Sequence, residues 1–323
     1  MKYLVRLQEG AKKVATRDAY GEALAELGRE NPDVVALDAD LSKSTKTAVF
    51  GKAFPARFFN MGIAEANMMA TAAGLAAAGK VPFASTFAVF ATGRAFDQVR
   101  NSICYPHLNV KIAASHAGIT VGEDGGSHQS VEDIALMRVL PNMTVIVPAD
   151  AGETRAAVRA AAALDGPVYL RLGRAGGPII FGPDYSFRVG EAVVLREGRD
   201  VSLFACGVMV AEALKAADQL AGEGLEAEVV NVSSLKPFDW RTVAESVVRT
   251  GAAVSAEEHS IIGGLGGAVA ECLAERHPVP LVRVGLRDTF GESGTPDELM
   301  KAYGLTAADI VRAAKEAIQR RRV

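Results

Sequence analysis

The sequence predicts an α/β protein built of two doubly wound domains, and three observations carry that reading. Short apolar runs alternate with segments of helical spacing along the whole chain, the pattern of a mostly parallel sheet covered on both faces. Alanine and glycine are abundant while aromatics make up only 6%, which suits close helix-on-sheet packing better than a β-sandwich. The length of 323 residues exceeds one ordinary domain and approaches two, at ~150 residues each.

The elements follow in order. TRDAYGEALAELGREN reads as a helix with Thr16 as N-cap, apolar positions at Tyr20, Leu24 and Leu27, and a stop near Asn31 and Pro32. DVVALDAD is a buried strand. EANMMATAAGLAAAG is a helix of small residues closed by Gly79, KVPFAST a strand, and FAVFATGRAFDQVRNSI the next helix. VKIAASH, TVIVPAD and PVYLRLG are further strands. The Gly- and Pro-dense stretch from Gly173 to Gly190 marks a join, so domains are expected at 1–180 and 190–323. The second half alternates again: strand VSLFACG, helix VMVAEALKAADQLAGEG, strand EAEVVNVSS, helix WRTVAESVVRTG, strand AAVSAEEH, helix GGAVAECLAERH and strand PLVRVGL.

Composition excludes several function classes. Lys plus Arg is 35 against Asp plus Glu 38, a net charge of −3, so no broad phosphate-binding surface for nucleic acid is expected. A local basic cluster for a small phosphorylated ligand remains compatible with that balance. The most apolar stretch, Met68 to Gly79, falls short of the ~20 residues that a bilayer requires. MKYLVRLQEGAKK has no continuous apolar region or small-residue cleavage site, so no signal peptide is expected. Cys104, Cys206 and Cys272 have no metal-ligand spacing, so neither disulfides nor a metal site is expected, and a cytoplasmic location is the simplest reading.

Four stretches hold polar residues that a purely structural chain does not need. Glu65 enters a helix of Ala and Met; desolvation there favours a neutral, proton-donating acid, although a first-turn acid also complements the helix dipole. SHAGITVGEDGGSHQSVED holds His116 and His128, two of five histidines, with Asp124 and four glycines, in a loop between strand and helix where α/β folds place ligand groups. Its alternative is an incidental surface loop. LDADLSKST places Asp40 and Ser44 at a strand end, or else Ser42 or Ser44 caps a helix. RLGRAGG offers Arg171 and Arg174, each able to bind phosphate as a planar fork or to form a surface ion pair. SIIGGLGGAVAECL imitates a dinucleotide fingerprint, but Val269 stands at the third glycine position, and a glycine-rich helix start fits better.

Taken together, NMGIAEANMMATAAGLAAAG, PFASTFAVFATGRAFDQVRN and SHAGITVGEDGGSHQSVEDIALMRVLPNMTVIVPAD resemble the transketolase family of thiamine-diphosphate enzymes, with GEDGGSHQ the most telling segment. EEHSIIGGLGGAVAE resembles the family's terminal domain. The resemblance covers the pyrimidine-binding domain (1–180) and the C-terminal domain (190–323). The family's GDG motif, which holds a divalent ion and the diphosphate, occurs nowhere in this chain. The resemblance therefore implies the C-terminal subunit of a split transketolase. Thiamine diphosphate would be shared with an N-terminal subunit that carries GDG and holds Mg2+ or another divalent ion, around a homodimer core that forms a heterotetramer.

Residue roles carry over by motif. Glu65 resembles the acid on the aminopyrimidine ring nitrogen, and Phe87 and Phe90 the aromatics around that ring, although residues three apart also share a helix face in an ordinary core. Asp40 resembles an acid near the cofactor. Asp124 resembles the group on a sugar hydroxyl and His128 the one near the reacting carbonyl. His116, Arg17, Ser44 and Arg174 resemble the set that grips a sugar phosphate, with Arg174 favoured over Arg171. Gly93 departs from a family aromatic, which leaves either a space for Phe96 to fill or a more open pyrimidine pocket, and GGSHQS departs from GPTHQP. The implied reaction is transfer of a two-carbon ketol unit between sugar phosphates. Alternatives are a 1-deoxyxylulose-5-phosphate-synthase-like enzyme, disfavoured by Gln129, a pyruvate-dehydrogenase beta-subunit-like enzyme, and a non-catalytic paralogue.

Overall fold

A computed structural model of the chain describes residues 2–5, 7, 10 and 12–321; the N-terminal stretch read for a targeting signal lies partly outside them. The first half runs β1 (Lys13–Ala15), α1 (Thr16–Glu30), β2 (Val34–Asp38), α2 (Ser42–Thr45), α3 (Ala48–Ala53), β3 (Phe58–Asn60), α4 (Glu65–Ala77), β4 (Val81–Phe87), β5 (Lys111–Ser115), α5 (Asp133–Val139), β6 (Thr144–Ile146), α6 (Ala151–Ala163), β7 (Val168–Arg171) and β8 (Gly176–Pro178). The second half runs β9 (Val193–Arg196), β10 (Val201–Ala205), α7 (Met209–Gly222), β11 (Ala227–Asn231), β12 (Ser234–Lys236), α8 (Trp240–Thr250), β13 (Ala253–Ser260), α9 (Leu265–Arg276), β14 (Leu281–Leu286), α10 (Pro296–Ala302) and α11 (Ala307–Arg321). Among the described residues no helix is long and apolar enough to cross a membrane.

Two large sheets form, as the alternation predicts. A seven-stranded sheet has the order β12-β6-β7-β5-β4-β2-β3, and a five-stranded sheet the order β14-β13-β10-β11-β9. Central strands such as β2 and β5 are buried along their whole length, which is why they read as apolar runs rather than alternating ones. Pairing is parallel except at β12 in the first sheet and β9 in the second. β12 thus belongs to the first sheet although its residues follow the join. β8, inside the join, pairs antiparallel with β1.

Three local expectations are corrected. Thr16 is not the N-cap of α1: Ala15 holds that place, and the Thr16 hydroxyl instead accepts from the Gly173 amide at 2.7 Å, tying the helix to the join. Neither Ser42 nor Ser44 caps α2, whose N-cap is Leu41. Phe87 is the last residue of β4 rather than part of the next helix. The helical stretch beyond it contains two π-helical segments, Phe90–Arg94 and Gln98–Cys104, a wide coil often found at functional sites.

The GGLGG stretch is a helix start packed on its strand. The Glu257 carboxylate accepts the amides of Leu265 at 2.6 Å and Gly266 at 2.7 Å. A Cβ on Gly264 would stand 2.0 Å from Glu257 Oε2. The anion cradle of α9 is filled by the chain's own acid, so no nucleotide phosphate is needed to satisfy it. Glu257→Ala strands those buried amides and is expected to lower stability by about 1–3 kcal/mol. An unchanged thermal unfolding curve would reject the assignment.

Candidate functional site

The carboxyl ends of β2, β4, β5 and β7 lie side by side in the first sheet, the edge at which α/β folds bind ligands. β4 delivers Phe87 and β5 delivers His116, one residue beyond its end. Their rings stack with centroids 3.7 Å apart and planes 19° apart. Phe90, in the first π-helical turn, stacks on Phe87 at 5.8 Å and 12°. His128 meets both phenylalanines edge-on, at 6.3 Å and 5.5 Å. The four rings that the sequence singled out therefore form one wall.

Glu65 opens α4 and is only 5% exposed. Its surroundings are not only the small apolar side chains of α4. Arg94 Nη1 donates to Glu65 Oε1 at 3.1 Å, and the same guanidinium lies 4.1 Å from the Phe90 ring centroid. The Arg94 side chain is 55% exposed, so it covers the acid from the solvent side. Sequence reasoning missed Arg94. Nothing in its own stretch of sequence points to Glu65; beside it, a Cβ added to Gly93 would meet nothing within 4 Å. Phe96 packs against the core rather than into that space; the guanidinium of Arg94 covers Phe90 instead.

A second cluster sits beside the ring wall. Arg17, in the first turn of α1, donates from Nη1 to the Ser44 carbonyl at 3.2 Å and meets His116 Nε2 at 3.0 Å. Because guanidinium only donates, Nε2 accepts, and the imidazole proton sits on Nδ1, which faces Ser115 Oγ at 2.9 Å. Ser44 contributes its carbonyl to this contact. Burial first, then Arg17, Arg174, His128 and Lys46, push the His116 imidazole down to about 3. His116 is therefore neutral, and the positive charge here belongs to Arg17 and Arg174. Arg174, 33% exposed, bonds the Val121 carbonyl and pairs with Glu123 at 3.3 Å and Asp124 at 3.6 Å.

Two further candidates have hydrogen-bond partners of their own. Asp40 is exposed, in left-handed backbone at φ 63°. Its carboxylate accepts from Asn60 Nδ2 at 3.0 Å, while Asn60 Oδ1 accepts the Asp40 amide at 3.1 Å. The buried acid of this strand end is Asp38, which sequence reasoning passed over and which accepts from Thr45, Thr47 and the Leu41 amide. Arg171 is buried against Asp133 at 2.8 Å, so its fork is already committed.

The neutral state of His116 has a stability consequence. Its folded pKa of about 3 lies below the unfolded value of ~6.5, so between those values the unfolded chain binds the extra proton. Stability from this residue falls as pH drops through that window. His116→Gln is expected to show a smaller loss of melting temperature between pH 7 and pH 5 than the unmodified chain. Equal losses would reject the account.

Comparison with known proteins places the chain in a family. The family model for the transketolase pyrimidine binding domain matches residues 12–178, and that for the transketolase C-terminal domain matches residues 190–310. The chain is 50% identical over 305 residues to the 6-deoxy-6-sulfo-D-fructose transketolase subunit SqwH of Clostridium sp. (strain MSTE9), covering 94% of this chain and 95% of that protein. A split-gene transketolase solved as an inactive β4 tetramer superposes with a TM-score of 0.90 at 62% identity, covering 95% of this chain and 99% of the other. Transketolase from Leishmania mexicana superposes at 0.81 with 30% identity, covering 97% of this chain but 47% of that one. With both family models matched and a relative 50% identical over 94% of this chain, the chain belongs to the transketolase family.

Proposed function

We propose that this chain is the C-terminal subunit of a split, thiamine-diphosphate-dependent transketolase, moving a two-carbon ketol unit between sugars that carry a terminal anion. The observation that carries the reading is the adjacency of two kinds of site. Phe87 stacks on His116, and His116 bonds Arg17, so a wall suited to a flat heterocycle meets a pair of guanidiniums across one imidazole.

The residues present fit the pyrimidine side of the cofactor. A buried acid beside stacked phenylalanines suits a flat ring with a nitrogen that hydrogen-bonds to carboxyl. Glu65 would hold that nitrogen, and Phe87 and Phe90 would wall the ring and exclude water. Thiamine diphosphate, when bound, supplies the electron sink for carbanion chemistry. The diphosphate and its Mg2+ are assigned to a GDG-bearing partner, two copies of each chain making the enzyme. His128 faces the reacting carbonyl, Asp124 takes a sugar hydroxyl, and Arg17 and Arg174 hold the anionic end, with His116 and the Ser44 carbonyl orienting the Arg17 guanidinium. Asp40 keeps a cofactor-side role by resemblance alone.

The likeness to a protein named for a sulfonated sugar supports a second substrate reading. Guanidiniums bind sulfonate as well as phosphate, and a neutral His116 favours neither by charge. Calorimetric titration of thiamine diphosphate with Mg2+ is the test, on this chain alone and with the GDG-bearing partner. Tight binding only in the mixture is expected; tight binding by this chain alone would overturn the split-site reading. The mixture is then expected to transfer ketol units rather than decarboxylate pyruvate, and competition between phosphorylated and sulfonated ketoses ranks the two substrate readings.

A further inference from the structure

The GEDGGSHQ loop is held from behind by the second half of the chain. Glu258, near the end of β13, is 4% exposed. Its Oε1 accepts the Thr120 amide at 2.6 Å. Its carboxyl group fills the notch left by Gly118, where an added Cβ would stand 2.2 Å from the carboxyl carbon and where φ is +79°. Only glycine admits both the conformation and the approach. The Gly118 amide in turn donates to the Ser130 carbonyl at 2.8 Å, closing the two ends of the loop.

The other end is gripped in the same way. Gln129 Nε2 donates to the carbonyls of Ile119 and Gly122 within the loop, and to Glu292 of the second half at 2.9 Å. A Cβ on Gly126 would stand 2.5 Å from the Gly291 carbonyl oxygen. Arg171 locks the back of the assembly, donating to the Glu258 carbonyl at 2.9 Å while paired with Asp133. His116 precedes the first grip by two residues and His128 precedes Gln129 by one. Asp124 lies between the grips.

We propose that Glu258 is a positioning residue for ketol transfer: its carboxylate, delivered across the two halves of the chain, sets the shape of the loop that carries Asp124 and His128. A carboxylate on a backbone amide makes a charge-assisted bond, and small misplacements of reacting groups are costly. The proposal rests on the transketolase reading above.

The test compares Glu258→Ala and Glu258→Gln in the assembled enzyme. For Glu258→Ala, the KM of the ketose donor is expected to rise about tenfold or more, with thiamine-diphosphate affinity within about threefold. Gln keeps an acceptor for the Thr120 amide and is expected to restore most of the loss. Unchanged KM, or parallel loss of cofactor affinity, would overturn the proposal. Hydrogen exchange judges it independently of activity: faster exchange confined to 118–129 in Glu258→Ala supports it, and unchanged exchange refutes it. An unmodified complex that transfers no ketol unit would sink the transketolase reading, and the exchange result would still decide for Glu258. Should Glu258→Ala not fold, Gln129→Leu releases the second grip and is expected to give the same KM pattern and local exchange; if Gln129→Leu leaves both KM and exchange unchanged, the proposal is overturned.

Discussion

Glu65→Gln in the reconstituted complex is expected to lower turnover by roughly two to four orders of magnitude, the usual worth of a positioned acid–base group. Gln has nearly the same volume, and its amide oxygen can still accept from Arg94 Nη1, now 3.1 Å from the Glu65 carboxylate. What it cannot do is exchange a proton with a ring nitrogen. The competing account, in which Glu65 merely complements the dipole of α4, concerns only a few tenths of a kcal/mol. The two accounts separate cleanly: steady-state kcat reports the first, and melting temperature with gel-filtration volume reports the second. Turnover within a few-fold of the unmodified enzyme would reject the assigned role, whereas lost assembly would make Glu65 a structural residue.

Arg174→Ala is expected to raise KM for acceptors with a terminal anion by roughly 10- to 100-fold, the range of a charge-assisted hydrogen bond, and to leave glycolaldehyde-type acceptors nearly untouched. The comparison between acceptors matters because Arg174 also bonds the Val121 carbonyl and pairs with Glu123 and Asp124. Loss of those contacts loosens the loop for every substrate, so a loop effect alone raises both KM values together. A selective rise isolates the anion contact. Equal losses for both classes of acceptor would reject it. Partial exposure of Arg174 further predicts that added salt weakens the anionic acceptors selectively.

The parts of this structure legible in the sequence are those set by local pattern. Buried parallel strands such as DVVALDAD read as apolar runs because both faces are covered by helices, and helix α4 reads from its small-residue stripe. Phe87, Phe90, His116 and His128 could each be singled out because they stand in dense, recognisable stretches, but the stacking of His116 on Phe87 depends on β4 and β5 lying side by side. The parts that escaped depend on partners distant in the chain. Arg94 matters because Glu65 comes to it from 29 residues away, and nothing in its own neighbourhood names that partner. Glu258 reaches Thr120 across 138 residues. Asp38 and Asp40 differ by two positions, yet backbone geometry buries one and exposes the other. β12 is too short to stand out as a strand, and only the open edge of β6 makes it one.

That last strand bears on how the chain is made. Ser234–Lys236 close the β6 edge of the first sheet, although three strands of the second sheet, β9, β10 and β11, separate them from the join at Gly173 to Gly190. During synthesis the first sheet must leave the ribosome with β6 paired to β7 alone, its outer edge open until residue 236 emerges. An open edge of that kind recruits other chains. A gene cut at the join would leave it open permanently, so the apparent boundary between the halves is a poor place to divide the protein.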